Sequence, residues 1–377
     1  MAKAKYPIGI ETFSKIREEG YLYVDKTEFV QRLVADGGFF FLSRPRRFGK
    51  SLLLSTIEAY YEGRRDLFEG LAISKYPHDW RPQPVFRLNF VNFDTGHIEG
   101  LRSTLEAQIS HWEQIYGSDP SELDYGQRFY GVIRRAYERT GEKVAILIDE
   151  YDKPLFSTID RPELNNRFRE ILKSVYGTLK AADRYIRFAL VTGVTRFSRL
   201  SIFSDINNLR DISLSYDYAA ICGITEDDML TNCSEGIECF AMANSISYEE
   251  AFRKLKDNYD GYHFAAVSPD IYNPFSLFNA LTEYKIKEYW FSTGTPTFLL
   301  KILREQRSDL KDLFDINIHE RFLNRGDSPS TNPIAFLFDM GYLTIKGNNE
   351  STEEIRLGIP NPEVQKGFSK IIDRAEA

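Results

Sequence analysis

The sequence predicts an α/β protein: a parallel sheet with helices on both faces, then a smaller helical part that closes in a β-hairpin. Three observations carry this. Short apolar runs alternate with helical periodicity through the first half of the chain. One run, Phe39-Phe40-Phe41-Leu42, leads into Arg44-Pro45-Arg46-Arg47-Phe48-Gly49-Lys50-Ser51 and then a segment with Leu53, Leu54, Ile57, Tyr60 and Tyr61 at helical spacing. Another, Ala145-Ile146-Leu147-Ile148, ends in Asp149-Glu150.

Taken in order, residues 39–42 read as a buried strand and residues 84–93 as a second, with Val85, Leu88 and Phe90 apolar. Helices are expected over 100–116 and 123–140. Residues 144–148 are uninterrupted apolar sequence, as a central parallel strand requires. Leu164, Phe168, Ile171, Leu172 and Val175 share one face of a helix over 162–179. Residues 186–192 and 211–214 complete the strands. Ligands of such sheets bind at the carboxyl ends of the strands.

The pattern changes near Tyr216. Residues 224–262 look helical, opening on Thr225-Glu226-Asp227-Asp228, with acids in the first turn, and Tyr259-Asp260-Gly261-Tyr262 reads as a turn. Asn273-Pro274 opens a helix over 275–284, with proline at its first position. Another helix is expected over 296–307. A helix with Ile334, Leu337 and Phe338 ends at Gly341, and strands over 342–346 and about 355–359 flank Gly347-Asn348-Asn349. Helices followed by a hairpin suggest a winged-helix-like region. The expected divisions are a sheet domain over 1–218, a helical lid over 219–290, the winged-helix-like region over 291–360 and a helical stub over 361–377.

Bulk composition sets limits. A length of 377 residues suggests two or three domains. A formal net charge of −7 argues against a basic coat, so nucleic-acid contact would need a local patch. Arg44, Arg46, Arg47 and Lys50 make one, with Arg64 and Arg65 further on. The 28 Phe and 22 Tyr read as packing before base stacking. Cys222, Cys233 and Cys239 have no C-x-x-C spacing, which disfavours zinc and fits a reducing cytosol. No apolar run is long enough to span a bilayer, and no hydrophobic stretch follows the N-terminus. A cytoplasmic protein without a membrane partner is expected.

The chemistry lies in three segments. Gly49-Lys50-Ser51 between a strand and a helix is the context of a phosphate-binding loop. Gly49 allows close backbone approach, Lys50 reaches the β and γ phosphates, and Ser51 ligates Mg²⁺. Arg44 stands where G-x-x-x-x-G-K-[ST] has its first glycine. Asp149 at a strand end suits a metal-holding acid, and Glu150 suits activation of the attacking water. The plainer alternative is a solvated acidic turn. Asp152 competes with Asp149 for the metal. Thr192 ends the next strand, where a hydroxyl can sense the γ-phosphate or the water. Arg196 or Arg199 would serve as an arginine finger, the alternative being pairing with Asp205 or Asp211.

These runs resemble the bacterial AAA-ATPase-like family. The resemblance rests on Pro7-Ile8-Gly9-Ile10, on residues 20–27, on Arg44–Ser51, on Asp149-Glu150-Tyr151-Asp152-Lys153-Pro154 and on Tyr259-Asp260-Gly261-Tyr262. Asn273-Pro274-Phe275-Ser276 and Gly341-Tyr342-Leu343 complete it, so that it runs from about residue 6 to residue 365. It implies an additional-strand P-loop fold with sheet order 5-1-4-3-2 and a winged-helix-like region. It also makes Arg44 the family's form of the loop. ATP and Mg²⁺ are the implied cofactors. The nucleotide-binding set is Arg44, Arg46, Arg47, Phe48, Gly49, Lys50, Ser51 and Leu52, and Tyr23 either stacks on adenine or packs in the cap. Many members continue into a PD-(D/E)XK nuclease-like domain. No such carboxylate set with its lysine fits after residues 357–364, so nuclease activity is not expected of this chain.

Three functions compete. One is an ATPase that regulates a nuclease or DNA-related partner, in defence against foreign DNA. Another is a nucleotide-dependent switch with little turnover, binding DNA or protein through the winged-helix-like region. The third, a small-molecule kinase, lacks a dedicated acceptor pocket. A homo-oligomer follows if an arginine acts in trans.

Overall fold

The computed structural model describes residues 4–90, 94–196, 202, 206–293, 315–324, 332–349 and 351–376. They form two compact units, each assembled from separated stretches. The sheet unit takes residues 27–43 and 53–212, and the second unit takes residues 1–26, 44–52 and 213–377.

The sheet unit is built on five parallel strands: β1 (Gly38–Ser43), β2 (Val85–Asn89), β3 (Val144–Asp149), β4 (Ile186–Gly193) and β5 (Leu209–Asp211). Their order is β2-β3-β4-β1-β5, the order that the family resemblance implies. The apolar runs are explained by burial on both faces. Phe39, Phe41, Phe86, Leu88, Val144, Ile146, Ile148, Ala189 and Val191 share one core with helices α4 (Ile98–Tyr116), α5 (Tyr125–Thr140) and α7 (Pro162–Ala181); in the chain, α1 (Phe13–Glu18) and α2 (Thr27–Asp36) precede β1 and the short α6 (Lys153–Phe156) precedes α7. Alternate residues point the other way: Phe40 and Tyr61 both meet Phe188, so α3 (Lys50–Tyr61) carries the opposite face. β5 begins two residues earlier than expected, and the N–H of Ile212 still donates to the Phe41 carbonyl. Residues 91–93 of the expected second strand lie outside the described residues.

Register aligns the strand ends. Leu42 and Ser43 pair with Thr192 and Gly193, Ile148 pairs with Val191, and Asn89 pairs with Asp149. β1, β4, β3 and β2 therefore finish along one carboxyl edge.

In the second unit the helical stretch after Ile224 is two helices, α8 (Glu226–Asn244) and α9 (Tyr248–Tyr259). The break is at Ser245, in the left-handed region, and the Ser247 side chain caps α9 by accepting from the Glu250 N–H. α8 opens with a capping box between Thr225 and Asp228. α10 (Pro274–Glu283) is capped by Asn273 with proline in its first turn. Met229, Ile237, Phe240, Leu255, Leu277 and Leu281 join these helices in one core. Further on, strands β8 (Asp315–His319), β9 (Thr344–Asn349) and β10 (Glu354–Gly358) form an antiparallel sheet, and the helix Pro333–Met340 precedes the β9–β10 hairpin. The helix expected over 296–307 lies outside the described residues. Two-residue strands β6 (Ile224–Thr225) and β7 (Ile271–Tyr272) are too short for any periodicity to reveal. Among the described residues no helix is long and apolar enough to cross a membrane.

Candidate nucleotide site

The carboxyl edge of the sheet gathers the acids. Asp149, the last residue of β3, is fully buried. A carboxylate so placed needs donors. Thr192 donates its hydroxyl to Oδ1 at 3.1 Å, and Arg87 of β2 donates to Oδ2 at 3.3 Å. Arg87 also reaches Glu58 of α3 at 2.7 Å. It therefore bridges the helix that opens at Lys50 and the strand that ends at Asp149. An arginine inside the otherwise apolar run Val85-Phe86-Arg87-Leu88 is the sequence signal that marks it.

Glu150 has a φ of 51°, left-handed backbone that a non-glycine residue rarely adopts. Its side chain is part exposed and pairs with Lys153 at 3.1 Å. Asp152 is 2% exposed. Its Oδ2 accepts from the N–H groups of Val194 (3.0 Å) and Thr195 (2.7 Å) and from the Thr195 hydroxyl (2.7 Å). Three donors on that oxygen leave Oδ2 committed to the loop after β4. Gly193 lets the loops approach: a Cβ there would lie 2.4 Å from the Tyr151 ring. Arg196 is buried in the loop after β4, and Arg199 lies outside the described residues.

The Gly-Lys-Ser loop belongs to the second unit and is anchored within it. Arg44 is buried, with its guanidinium 4.2 Å from the centroid of the Phe264 ring. It donates to the carbonyls of Ser213 (2.6 Å), Tyr218 (3.0 Å) and Ala219 (3.4 Å). Phe48 is buried edge-on to Tyr262 and Phe264, and its carbonyl accepts from the Gly223 N–H. Trp290 Nε1 donates to the Arg46 carbonyl, and Arg47 lies over Phe275. Of the loop's arginines, Arg46 and Arg47 are exposed. Gly49 is exposed with a φ of 95° and nothing within 4 Å of a Cβ position. Lys50, 7% exposed, donates Nζ to the carbonyls of Arg44 and Pro45. Ser51 and Leu52 follow in the first turn of α3, half-buried. Tyr23, also half-buried, meets the ring of Phe13 edge-on.

The structure thus groups Asp149 and Thr192 with Arg87, and the loop residues with one another. Arg87 and the clamp on Asp152 are the parts that motif reading missed. Among the described residues no group of three or more His, Cys, Asp or Glu forms a metal cluster. The three cysteines are free.

A five-stranded parallel sheet in this order fits a P-loop-like core. The family model of predicted AAA-ATPases matches residues 7–203. An uncharacterised protein from the vnfD 5′ region of Azotobacter chroococcum is 36% identical over 376 residues, covering 99% of this chain and 70% of that protein. The chain belongs to the AAA-ATPase-like family.

Proposed function

We propose that this protein binds and hydrolyses ATP with Mg²⁺ in the cytoplasm. The observation that carries the reading is the carboxyl edge of the sheet. β1 runs directly into the Arg44–Ser51 loop, and β3, two strands away in the sheet, ends in Asp149-Glu150. Gly49's positive φ and exposure suit a backbone that meets phosphate. Lys50 already points its ammonium at loop oxygens and would transfer it to phosphate oxygens. The Ser51 hydroxyl and the Asp149 carboxylate are hard oxygen donors, the type that Mg²⁺ takes together with phosphates. The bound metal would neutralise charge on the phosphates. Glu150 would accept the proton of the attacking water, and Thr192 would hold Asp149 in place or sense the phosphate. The burial of Arg196 supports a role within its own chain.

Arg44 and Phe48 would shape the loop, while Arg46, Arg47, Leu52 and Tyr23 are assigned to the nucleotide's surroundings. Through the winged-helix-like region the ATPase would regulate a nuclease or another DNA-related partner, in defence. The alternative is a switch with little turnover that binds DNA or protein. Its support is that the whole loop belongs to the same unit as the C-terminal elements. Phosphate release decides between the two. Turnover lost in both Lys50→Ala and Glu150→Gln, with ATP binding kept in the second, supports hydrolysis. Tight binding without turnover, with or without DNA, supports the switch. Activity per chain that rises with concentration would indicate an oligomer with an arginine acting in trans.

A further inference from the structure

We propose that Asp152 is the positioning residue for Glu150, acting through the loop after β4 and touching neither metal nor nucleotide. The inference rests on the ATPase reading. Its starting point is the backbone of Glu150. A left-handed glutamate costs about 1–2 kcal/mol and persists where its surroundings over-determine it. Here they do. The Tyr151 N–H donates to the Thr192 carbonyl, and the Lys153 N–H to the Glu150 carbonyl. The Tyr151 hydroxyl donates to the Thr195 carbonyl at 3.0 Å, and the Tyr176 hydroxyl to the Tyr151 carbonyl at 3.0 Å. Burial, helped by the charge of Asp152, pushes the Tyr176 hydroxyl well above its ordinary range, so it remains a donor.

Asp152 is the centre of this arrangement. It stands at the N-cap of the short helix Lys153–Phe156, where an aspartate ordinarily accepts from its own helix, yet it makes no such bond. Its Oδ2 instead takes both N–H groups and the hydroxyl at positions 194 and 195. The carboxylate ties the turn that carries Glu150 to the loop that carries Arg196. A proton acceptor and a buried cation are thereby fixed by one side chain. A misplacement of about 1 Å at a reacting group lowers rate by about 100-fold, so the tie acts on kcat.

The test uses the full chain with Asp152→Ala, Asp152→Asn and Thr195→Val. It reads kcat, KM, affinity for a non-hydrolysable ATP analogue and amide exchange at residues 150–152 and 194–195. Asp124→Ala, which removes the N-cap of α5 in the same unit, is the stability control. The expected result for Asp152→Ala is a kcat about 100-fold lower, with KM and analogue affinity within about twofold and exchange faster in both segments. Asp152→Asn keeps one acceptor and Thr195→Val keeps two of the three bonds, so both fall about 10-fold. They also remain informative if the alanine variant does not fold. Asp124→Ala lowers stability and leaves kcat unchanged. Loss of Mg²⁺-dependent analogue binding in Asp152→Asn would instead make Asp152 a metal ligand. Faster exchange with kcat unchanged would make it purely structural. Either result overturns the proposal while the wild type still hydrolyses ATP. Absence of turnover in the wild type overturns the ATPase reading, and the proposal with it.

Discussion

Both units bury acids, and they treat them differently. In the sheet unit, Asp149 and Asp152 end or follow a strand and are met by side-chain and backbone donors, Arg87 and Thr192 on Asp149 and the N–H groups of Val194 and Thr195 with the Thr195 hydroxyl on Asp152. In the second unit, burial pushes Asp260 up to about 7, against the lowering effect of the Gly261 N–H. Burial likewise pushes Glu363 up to about 7, although Trp290 N–H and the Ser276 hydroxyl donate to it. The difference separates two uses of a carboxyl group. At the edge where the parallel strands end, a cationic donor, Arg87, meets Asp149, which suits an anion that must meet a cation. In the helical core burial outweighs the donors present, and there an acid serves as a packing and hydrogen-bonding group whose charge is a liability.

The largest effect that would break this contrast is at Asp149. Asp149→Ala is expected to lower phosphate release about 1,000-fold while shifting the melting temperature by only a few degrees, because Arg87 keeps Glu58. Unfolding of the variant under conditions where the wild type is stable would make Asp149 a structural acid like those of the other unit. Next in size is Arg44→Ala. It removes bonds to three carbonyls and the contact with Phe264, at about 3 kcal/mol of stability by denaturant titration. A change below about 1 kcal/mol would show that the loop is held by its other contacts.

The pH dependence comes third. Asp260 and Glu363 hold their protons more tightly folded than unfolded, so their contribution is complete at acid pH below the ordinary carboxylate range. It is lost as pH rises through about 7. Between about pH 5 and pH 8 the wild type should lose about 2 kcal/mol that Glu363→Gln does not lose, with phosphate release unchanged within about twofold. A glutamine variant that no longer turns over would erase the distinction between the units. The smallest effect is that of Gly49→Ala. With nothing near its Cβ position, the variant meets only backbone strain, about 1 kcal/mol in stability, and should weaken ATP-analogue binding more than that.

How far sequence carries the fold can be read from the same residues. The parallel strands were visible because burial on both faces leaves an uninterrupted apolar run, as at Ala145–Ile148. Asp149-Glu150 was visible because polarity returns abruptly where such a strand ends. The clamp was not: Asp152 and Thr195 are separated by 43 positions, and only the β3–β4 register brings them together. Nor was the role of Arg44, since a charged residue in a loop reads as exposed until Phe264 and three carbonyls are found around it. The break at Ser245 was missed because alternate helical and capping uses of serine look alike in a chain.

Arg44 has one more consequence. A loop that begins with glycine gains its shape by lacking a side chain; this one gains it from a side chain driven like a peg into its own unit. Completing the familiar G-x-x-x-x-G-K-S pattern here, with Arg44→Gly, would therefore produce a chain that matches the motif better and holds its loop worse. Pattern searches that score the glycine rank such sequences low for the very residue that orders the loop.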